Sequence, residues 1–236
     1  MFLDPNTLVG NPNLIEAIEK GSTRFVAQAI ELFRAEAVNI FAHESDLQAD
    51  IGEDITTEAL DSLGMSRMAQ RVFGKMDYKR ARYIFEPEYA VRQVLLVDSK
   101  AEKTAGVARL QTSQTSMRIR QVRQGQALDV PGTVPIVATM KDTPFITTTI
   151  FVKYVYDTVN GGNILKKIIV ACVPNGFLQN FYNPTASDTI WVSGPNAPTL
   201  GEVFRTRLSF ARLKAKANWR VQSILIDPAA PFVWDD

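Results

Sequence analysis

The chain has 236 residues, of which 46% are apolar and 22% are charged, and its net charge is +1. This composition excludes a disordered chain, and the absence of any apolar run near the roughly 20 residues of a spanning helix argues against a membrane protein. One cysteine and one histidine exclude a metal site built from clusters of those residues.

The apolar pattern predicts helices near the start of the chain and strands after them. Apolar residues recur at helical spacing over 13–43, and a shorter helix is predicted over 53–64, where Gly64 would end it. A strand is predicted over 77–85. Another is predicted over 93–100, where a near-continuous apolar start indicates that both faces are covered. Residues 104–123 are polar, and we expect them to be helical in part.

The second half is predicted to be mainly β. Two β-branched runs, 146–157 and 164–173, are joined across Asn160-Gly161-Gly162, which predicts a hairpin. The remaining predicted elements are a strand, a short helix and a final strand, at 201–210, 211–218 and 219–226. This order predicts an α/β (α+β) fold with a central mixed β-sheet flanked by helices, in a single domain over residues 1–236.

The N-terminus and the single cysteine indicate a cytoplasmic protein. The sequence MFLDPNTLVGNPN has neither a basic region nor a long apolar segment, so we expect no signal peptide. Cys172 cannot pair within the chain, and its apolar neighbours predict a buried thiol in a reducing compartment.

The basic residues are concentrated in three segments, 65–82, 100–123 and 205–220. Each segment holds six Lys or Arg, so together they hold 18 of the 26 basic residues but only two of the 25 acidic ones, Asp77 and Glu102. Such a distribution suits a polyanionic partner. Solvated helix faces carry similar runs of charge, so the pattern alone does not identify nucleic acid.

Asp98 and Lys100 follow the buried strand over 93–100. Alternate side chains of a strand share a face, so Asp98 and Lys100 should project together and Ser99 should face away. If the preceding strand is a neighbour, Asp77 would lie beside them. Two carboxylates that hold a hard divalent ion such as Mg²⁺, with a lysine next to them, suit phosphodiester hydrolysis.

The spacing of these three residues is weak support for catalysis by itself. An acid followed two positions later by lysine is also common on an exposed edge strand, as a solvated ion pair. Two features favour catalysis: the charges come directly after a buried strand, and a basic segment follows them.

Several longer blocks of the chain carry a resemblance to a known family. The blocks are GEDITTEAL, RVFGKMDYKRARYIF, RQVLLVDSKAEK, LQTSQTSM, TTTIFVKYVY, FYNP and GEVFRTRLSFARLKAKANWRVQ. They resemble the SfiI-like type II restriction endonucleases, relatives of BglI in the PD-(D/E)xK nuclease superfamily. They occur in the family's order and cover most of the chain from about residue 25 to 225.

The resemblance implies a metal-dependent active site of Asp77, Asp98 and Lys100, with Asp77 and Asp98 as Mg²⁺ ligands. It implies a cytoplasmic bacterial enzyme that cuts double-stranded DNA at an interrupted, GC-containing palindrome. It also implies a homodimer or homotetramer and a cognate DNA methyltransferase in the same system. The catalytic core would span about 50–125, and the recognition strands and hairpin about 145–226.

Arg205 and Arg207 are predicted to read bases. On a strand both guanidinium groups project from one face, and an arginine that bonds guanine O6 and N7 is the commonest specific contact in the major groove. A solvated edge strand with an arginine paired to Glu202 is the alternative, and the resemblance favours base readout. The family's basic residue in the preceding loop is missing here, and Asn196 is the candidate to replace it.

Further basic residues are predicted to contact phosphates, which position DNA without specifying its sequence. They are Lys103, Arg109, Arg118, Arg120 and Arg123. Gln111, Ser113 and Gln114 lie among them and would reach sugar or groove edges, or else form a solvated face. A catalytically inactive or structure-specific DNA-binding protein on the same scaffold is the alternative to a site-specific nuclease.

Overall fold

The computed structural model describes residues 2–43, 48–64, 81–86, 90–194, 206–227 and 229–236. Its helices are α1 (Pro12–Leu32), α2 (Arg34–His43), α3 (Gln48–Ser62), α4 (Gln179–Tyr182) and α5 (Phe210–Lys216). In the described part of the chain, no helix is long and apolar enough to cross a membrane.

The strands make up most of the second half of the chain. They are β1 (Ala81–Glu86), β2 (Val91–Glu102), β3 (Val107–Leu110), β4 (Ile119–Arg123), β5 (Gln126–Val130), β6 (Val137–Met140), β7 (Thr143–Val159), β8 (Gly162–Val173), β9 (Trp191–Ser193), β10 (Thr206–Ser209) and β11 (Val221–Leu225).

The main sheet has the strand order β1-β2-β7-β8-β11, and β6 also pairs with β7. The β2–β7 pair is parallel, whereas the other pairs are antiparallel, so the sheet is mixed as predicted. The predicted hairpin is confirmed: β7 and β8 pair antiparallel, and Asn160 and Gly161 have φ of 52° and 83°, as a tight hairpin turn requires.

The main sheet separates two apolar cores. On one face, α2, α3 and part of α1 cover alternate strand residues such as Leu95 and Ile150. On the other face, residues such as Phe151 share a core with a smaller sheet of order β3-β10-β9. Burial on both faces accounts for the near-continuous apolar start of β2, which is buried from Gln93 to Ser99.

The structure corrects the predicted helix over 13–43. The helix is interrupted at Phe33, whose backbone (φ −93°, ψ 4°) leaves the helical region between α1 and α2. The apolar spacing continues across this residue, because both helices cover the same core, and it therefore gives no sign of the break.

Residues 104–123, predicted to be helical in part, are helical over a single turn, and most of the segment is β-strand. The segment forms β3 and β4, and only Thr112–Gln114 form a short 3-10 helix between them. Ala108 and Leu110 are buried while Arg109 is exposed, the alternation of a half-buried strand. Strands of four or five residues are too short for this alternation to stand out among polar neighbours.

Candidate active site and nucleic-acid interface

Asp98 and Lys100 lie together near the end of β2, as predicted. Lys100 Nζ is 2.8 Å from Asp98 Oδ2. The Asp98 carboxylate is nearly buried, whereas the Lys100 side chain is 25% exposed. In the parallel register Asp98 is opposite Phe151, so the pair lies on the face of the main sheet that carries the smaller sheet.

Ser99 faces the opposite side of the sheet, also as predicted. Its hydroxyl donates to Thr56 Oγ1 of α3 at 2.7 Å, and the Tyr154 hydroxyl lies 2.9 Å from the same Thr56 atom. All three residues are buried. These bonds attach α3 to the back of β2 directly behind Asp98 and Lys100, and they hold the strand's end in place.

Gln114 hydrogen-bonds to the Asp98 carboxylate on the face of β2 opposite α3. Its Nε2 donates to Asp98 Oδ1 at 3.0 Å, while its Oε1 accepts from the Gln111 backbone N–H at 2.9 Å. The second bond fixes the amide orientation, so that the NH₂ group points at the carboxylate. Sequence reasoning missed this contact, because nothing in the spacing relates Gln114 to Asp98.

Glu102 continues the row of Asp98 and Lys100 on the same face of β2. Its Oε1 accepts from Arg109 Nε at 3.0 Å, and its Oε2 bonds the Nζ of Lys153 on β7. The continued spacing of two residues is a signal that could have identified Glu102 in the sequence.

Lys153 is fully buried and also donates to the Val107 carbonyl. Burial lowers its pKa from the ordinary lysine value; the bond to Glu102 opposes that shift and the charge of Arg109 adds to it. The Glu102–Lys153 pair joins β2 to β7, and Arg109 extends the connection to β3.

A strand was predicted over 201–210, and its arginines were expected to read bases. The part of it that the structure describes is β10, the middle strand of the smaller sheet. Arg207 lies between Arg109 of β3 and Val192 of β9 in the antiparallel register. The smaller sheet therefore carries Arg207 opposite the arginine that Glu102 binds. Arg205 and Asn196, predicted to read bases, and Asp77, predicted to complete the active site, lie outside the described residues.

The predicted phosphate contacts fall into two groups. Arg109 and Lys103 lie beside the end of β2, and Lys103 Nζ is 5.9 Å from the centroid of the Tyr156 ring. Arg118, Arg120 and Arg123 belong to, or directly precede, β4.

Asp129 of β5 pairs with two members of the β4 group. The Nε atoms of Arg118 and Arg120 lie 2.7 Å and 3.2 Å from its carboxylate oxygens. Slight desolvation acts to raise the pKa of Asp129, but the bonds from both arginines outweigh it, so the pKa lies below its usual value. Arg120 Nη1 also donates to the Pro184 carbonyl at 2.7 Å, whereas Arg118 is 45% exposed. Of these two arginines, Arg118 is therefore the more available to bind a phosphate.

The donor chemistry at Asp98 fits a hard divalent cation. Carboxylate oxygens are the ligands that Mg²⁺ prefers, and Mg²⁺ needs only one or two of them from the protein. Among the described residues, no group of three His, Cys, Asp or Glu side chains forms a metal site.

Comparison with known proteins finds relatives over nearly the whole chain. The model of a family described as type II restriction enzyme SfiI matches residues 15–224. The type II restriction enzyme SfiI of Streptomyces fimbriatus is 33% identical over 225 residues, which cover 89% of this chain and 84% of that protein.

Two crystal structures share the fold. The structure of the tetrameric restriction endonuclease SfiI bound to cognate DNA superposes with a TM-score of 0.84 and 30% identity, covering 98% of this chain and 91% of that one. The structure of the restriction endonuclease BglI bound to its DNA recognition sequence gives a TM-score of 0.76 at 17% identity, covering 94% of each chain.

Proposed function

Because the chain belongs to the SfiI family of type II restriction enzymes, we propose that it hydrolyses both strands of duplex DNA at a specific sequence with Mg²⁺ as cofactor. The observation that carries the proposal is the Asp98–Lys100 pair, which lies near the end of the buried strand β2, on the face that carries the smaller sheet. An exposed edge strand with a solvated ion pair would show neither feature.

Asp98 and Asp77 would hold the metal ion, and Lys100 would act beside it. When bound, Mg²⁺ supplies the charge that polarises the phosphate and stabilises the leaving oxygen. The ammonium of Lys100, 2.8 Å from Asp98, orients the attacking water and balances the charge that develops on the phosphate. Gln114 keeps the Asp98 carboxylate in one orientation while this happens.

Base readout would come from the smaller sheet and the residues that precede β10 in the sequence. Arg205 and Arg207 would each bond a guanine in an interrupted, GC-containing palindrome, and Asn196 would contact the outer position. A palindrome is matched by a symmetric assembly, either a homodimer or a homotetramer. The tetrameric DNA-bound SfiI structure supports this part of the proposal.

The remaining basic residues would neutralise phosphates, and the whole chain would act as one endonuclease domain. Lys103 and Arg109 lie beside the active site, whereas Arg118, Arg120 and Arg123 lie at β4. A nuclease of this kind works in the bacterial cytoplasm with a cognate methyltransferase that protects the host's own sites.

Incubation of plasmid and phage DNA with the protein and Mg²⁺ tests the proposal, with Ca²⁺ and EDTA as parallel conditions. We expect discrete fragments with Mg²⁺, and sequencing of their ends gives the recognition sequence, spacer and overhang. Asp98→Ala and Lys100→Ala should each reduce cleavage by about 10³-fold or more while DNA binding in Ca²⁺ persists.

Ser99→Ala is the matched control, because Ser99 lies between the two residues but faces α3. Because it loosens the attachment of β2 to α3 without removing a group that acts on the phosphate, it should still cleave far faster than either of those two variants. If Asp98→Ala or Lys100→Ala cuts as fast as the wild type, the assignment of the active site is wrong. A gel shift without cleavage under any divalent ion would instead support the non-catalytic DNA-binding protein.

A further inference from the structure

Lys153 of β7 lies directly beside Lys100 of the proposed active site. The two residues are Cα partners in the parallel register of β2 and β7. Residues opposite each other on neighbouring strands project from the same face of a sheet, about 5 Å apart. The face of the main sheet that carries Asp98 and Lys100 therefore holds a second lysine, which the proposed function does not use.

The two lysines differ in their exposure to solvent. Lys153 is fully buried, whereas the Lys100 side chain is 25% exposed. Water and salt screen a buried charge much less than an exposed one, so the Lys153 ammonium acts strongly on its surroundings. A buried positive charge at this position repels Lys100, and it opposes the binding of a divalent cation on the same face.

Glu102 supplies the negative charge that offsets Lys153. Its Oε2 bonds the Nζ of Lys153, and its Oε1 accepts from Arg109 Nε at 3.0 Å. Among the described residues, the carboxylate that pairs with Lys153 is that of Glu102. The Glu102 side chain is only 11% exposed, so its charge is also screened little by solvent.

Asp98 and Glu102 are placed alike with respect to Lys153. Asp98 comes two residues before Lys100, the register partner of Lys153, and Glu102 comes two residues after it. Each carboxylate is therefore diagonal to Lys153, with about 8 Å between Cα atoms, a distance that the long side chain of lysine can span. In the structure Lys153 bonds Glu102, whereas Lys100 lies 2.8 Å from Asp98. Each carboxylate thus has its own ammonium group.

We infer that Glu102 is a positioning residue for the metal site: it holds Lys153 and offsets its charge, so that Asp98 can bind a divalent cation beside Lys100. The inference rests on the proposed function, in which Asp98 is a ligand of Mg²⁺. Glu102 acts through Lys153 and not as a ligand itself, because four residues of extended strand, about 13 Å, separate it from Asp98.

Titration of Ca²⁺ into the protein–DNA complex tests the inference, because calorimetry measures the affinity for the cation without cleavage. The DNA is a duplex with the recognition sequence found from fragment ends. We expect Glu102→Gln to weaken Ca²⁺ affinity by about 10- to 100-fold, the range for loss of a group that supports a metal ligand. The Mg²⁺ concentration for half-maximal cleavage should rise in the same proportion.

Removal of the second ammonium group should reverse this effect. In the double variant Glu102→Gln/Lys153→Met, Ca²⁺ affinity should return close to the wild-type value, and failure to recover would overturn the inference. Lys153→Met alone should bind Ca²⁺ at least as tightly as wild type, because a negative charge then remains near Asp98 without its counter-charge. This variant has no unpaired buried ammonium, so it provides the test even if Glu102→Gln does not fold. Weaker Ca²⁺ binding by Lys153→Met would contradict the inference.

Two control variants separate charge from packing. Glu102→Asp keeps the negative charge on a shorter side chain, so it should keep most of the Ca²⁺ affinity even where it lowers stability. Asp157→Asn removes one negative charge from an exposed position of β7, where water and salt screen it, and should leave the affinity unchanged. If Glu102→Asp weakens Ca²⁺ binding as much as Glu102→Gln does, packing and not charge is responsible, and the inference is wrong.

Asp98→Ala separates this inference from the proposed function. If Asp98→Ala loses Ca²⁺ binding and Glu102→Gln keeps the wild-type affinity, Glu102 does not support the metal site, and the proposed role of Asp98 stands. If Asp98→Ala keeps the wild-type affinity, Asp98 is not a ligand, and the proposed metal site fails together with the inference.

Discussion

The end of β2 and the smaller sheet both present charged side chains on the same side of the molecule, but they hold them in different ways. At β2, each charged group has a fixed partner: Asp98 binds Gln114 and Lys100, and Glu102 binds Lys153 and Arg109. On β10, Arg207 lies between Arg109 and Val192 in the register of the smaller sheet, and its Nη1 hydrogen-bonds to no group among the described residues.

The difference follows from what each region does in the proposed function. Catalytic groups must keep one geometry through the reaction, so buried partners on both faces of β2 stabilise them. An arginine that reads a base must donate its hydrogen bonds to DNA, so a strong partner within the protein would compete with the base. Charged groups that are already paired within the protein suit catalysis, whereas a charged group with an unused donor suits recognition of DNA.

The largest effect on stability is expected from Glu102→Gln. The change removes the carboxylate from fully buried Lys153 and leaves an ammonium without its counter-charge. Loss of one partner of a buried ion pair costs about 3–5 kcal/mol, so the free energy of unfolding in urea should fall by that amount. Arg207→Ala, in the smaller sheet, should change it by less than about 1 kcal/mol.

A second substitution provides the control for Glu102→Gln. Replacing Lys153 by methionine in the same chain removes the unpaired charge but keeps most of the volume, and it should restore much of the lost stability. Unfolding of Glu102→Gln at the wild-type urea midpoint would contradict the distinction between the two regions.

An intermediate effect is expected from Gln114→Ala. The amide of Gln114 orients the carboxylate that would hold the metal, and loss of such a supporting bond typically weakens metal affinity or activity by about 10- to 100-fold. The Mg²⁺ concentration for half-maximal cleavage should rise within that range, while DNA binding in Ca²⁺ changes little.

The neighbouring Ser113→Ala provides the comparison for Gln114→Ala and should keep the wild-type Mg²⁺ dependence. If Gln114→Ala also keeps it, the bond to Asp98 is incidental. A fall in sequence discrimination instead of Mg²⁺ dependence would place Gln114 with the reading groups.

The Asp98–Lys100 pair and the smaller sheet also differ in how much of their structure can be predicted from the sequence. That Asp98 and Lys100 share a face and Ser99 points away follows from the two-residue period of a strand, which local geometry alone determines. The buried start of β2 was predictable for the same kind of reason, because apolar residues on both faces require cover on both faces.

The contact of Gln114 and the strand neighbours of Arg207 were not predictable from the sequence, because they depend on how distant segments pack. Gln114 reaches Asp98 from a one-turn helix between two short strands, in a segment whose polar composition indicated partial helix instead. Arg207 lies opposite Val192 only because β9 and β10 pair in one register. A change of one residue in that register would place Arg207 on the other face of the sheet.

The smallest effect is expected from Arg118→Ala, which distinguishes phosphate contact from base readout. Arg118 shares Asp129 with Arg120 but is 45% exposed, so it remains available to a phosphate. Removal of one phosphate contact reduces the slope of log K against log salt by about 1 and weakens binding similarly for all sequences. Titrations of cognate and non-cognate duplexes over a range of salt concentrations measure both quantities.

Lys166→Ala, an exposed lysine on β8, supplies the control and should leave the slope unchanged. The distinction between the two regions predicts opposite signatures for two arginines of similar chemistry. Arg118→Ala should change salt dependence without discrimination, whereas Arg207→Ala should change discrimination more than salt dependence. Loss of discrimination in Arg118→Ala would mean that the reading surface extends onto β4, where Asp129 already competes for the guanidinium groups.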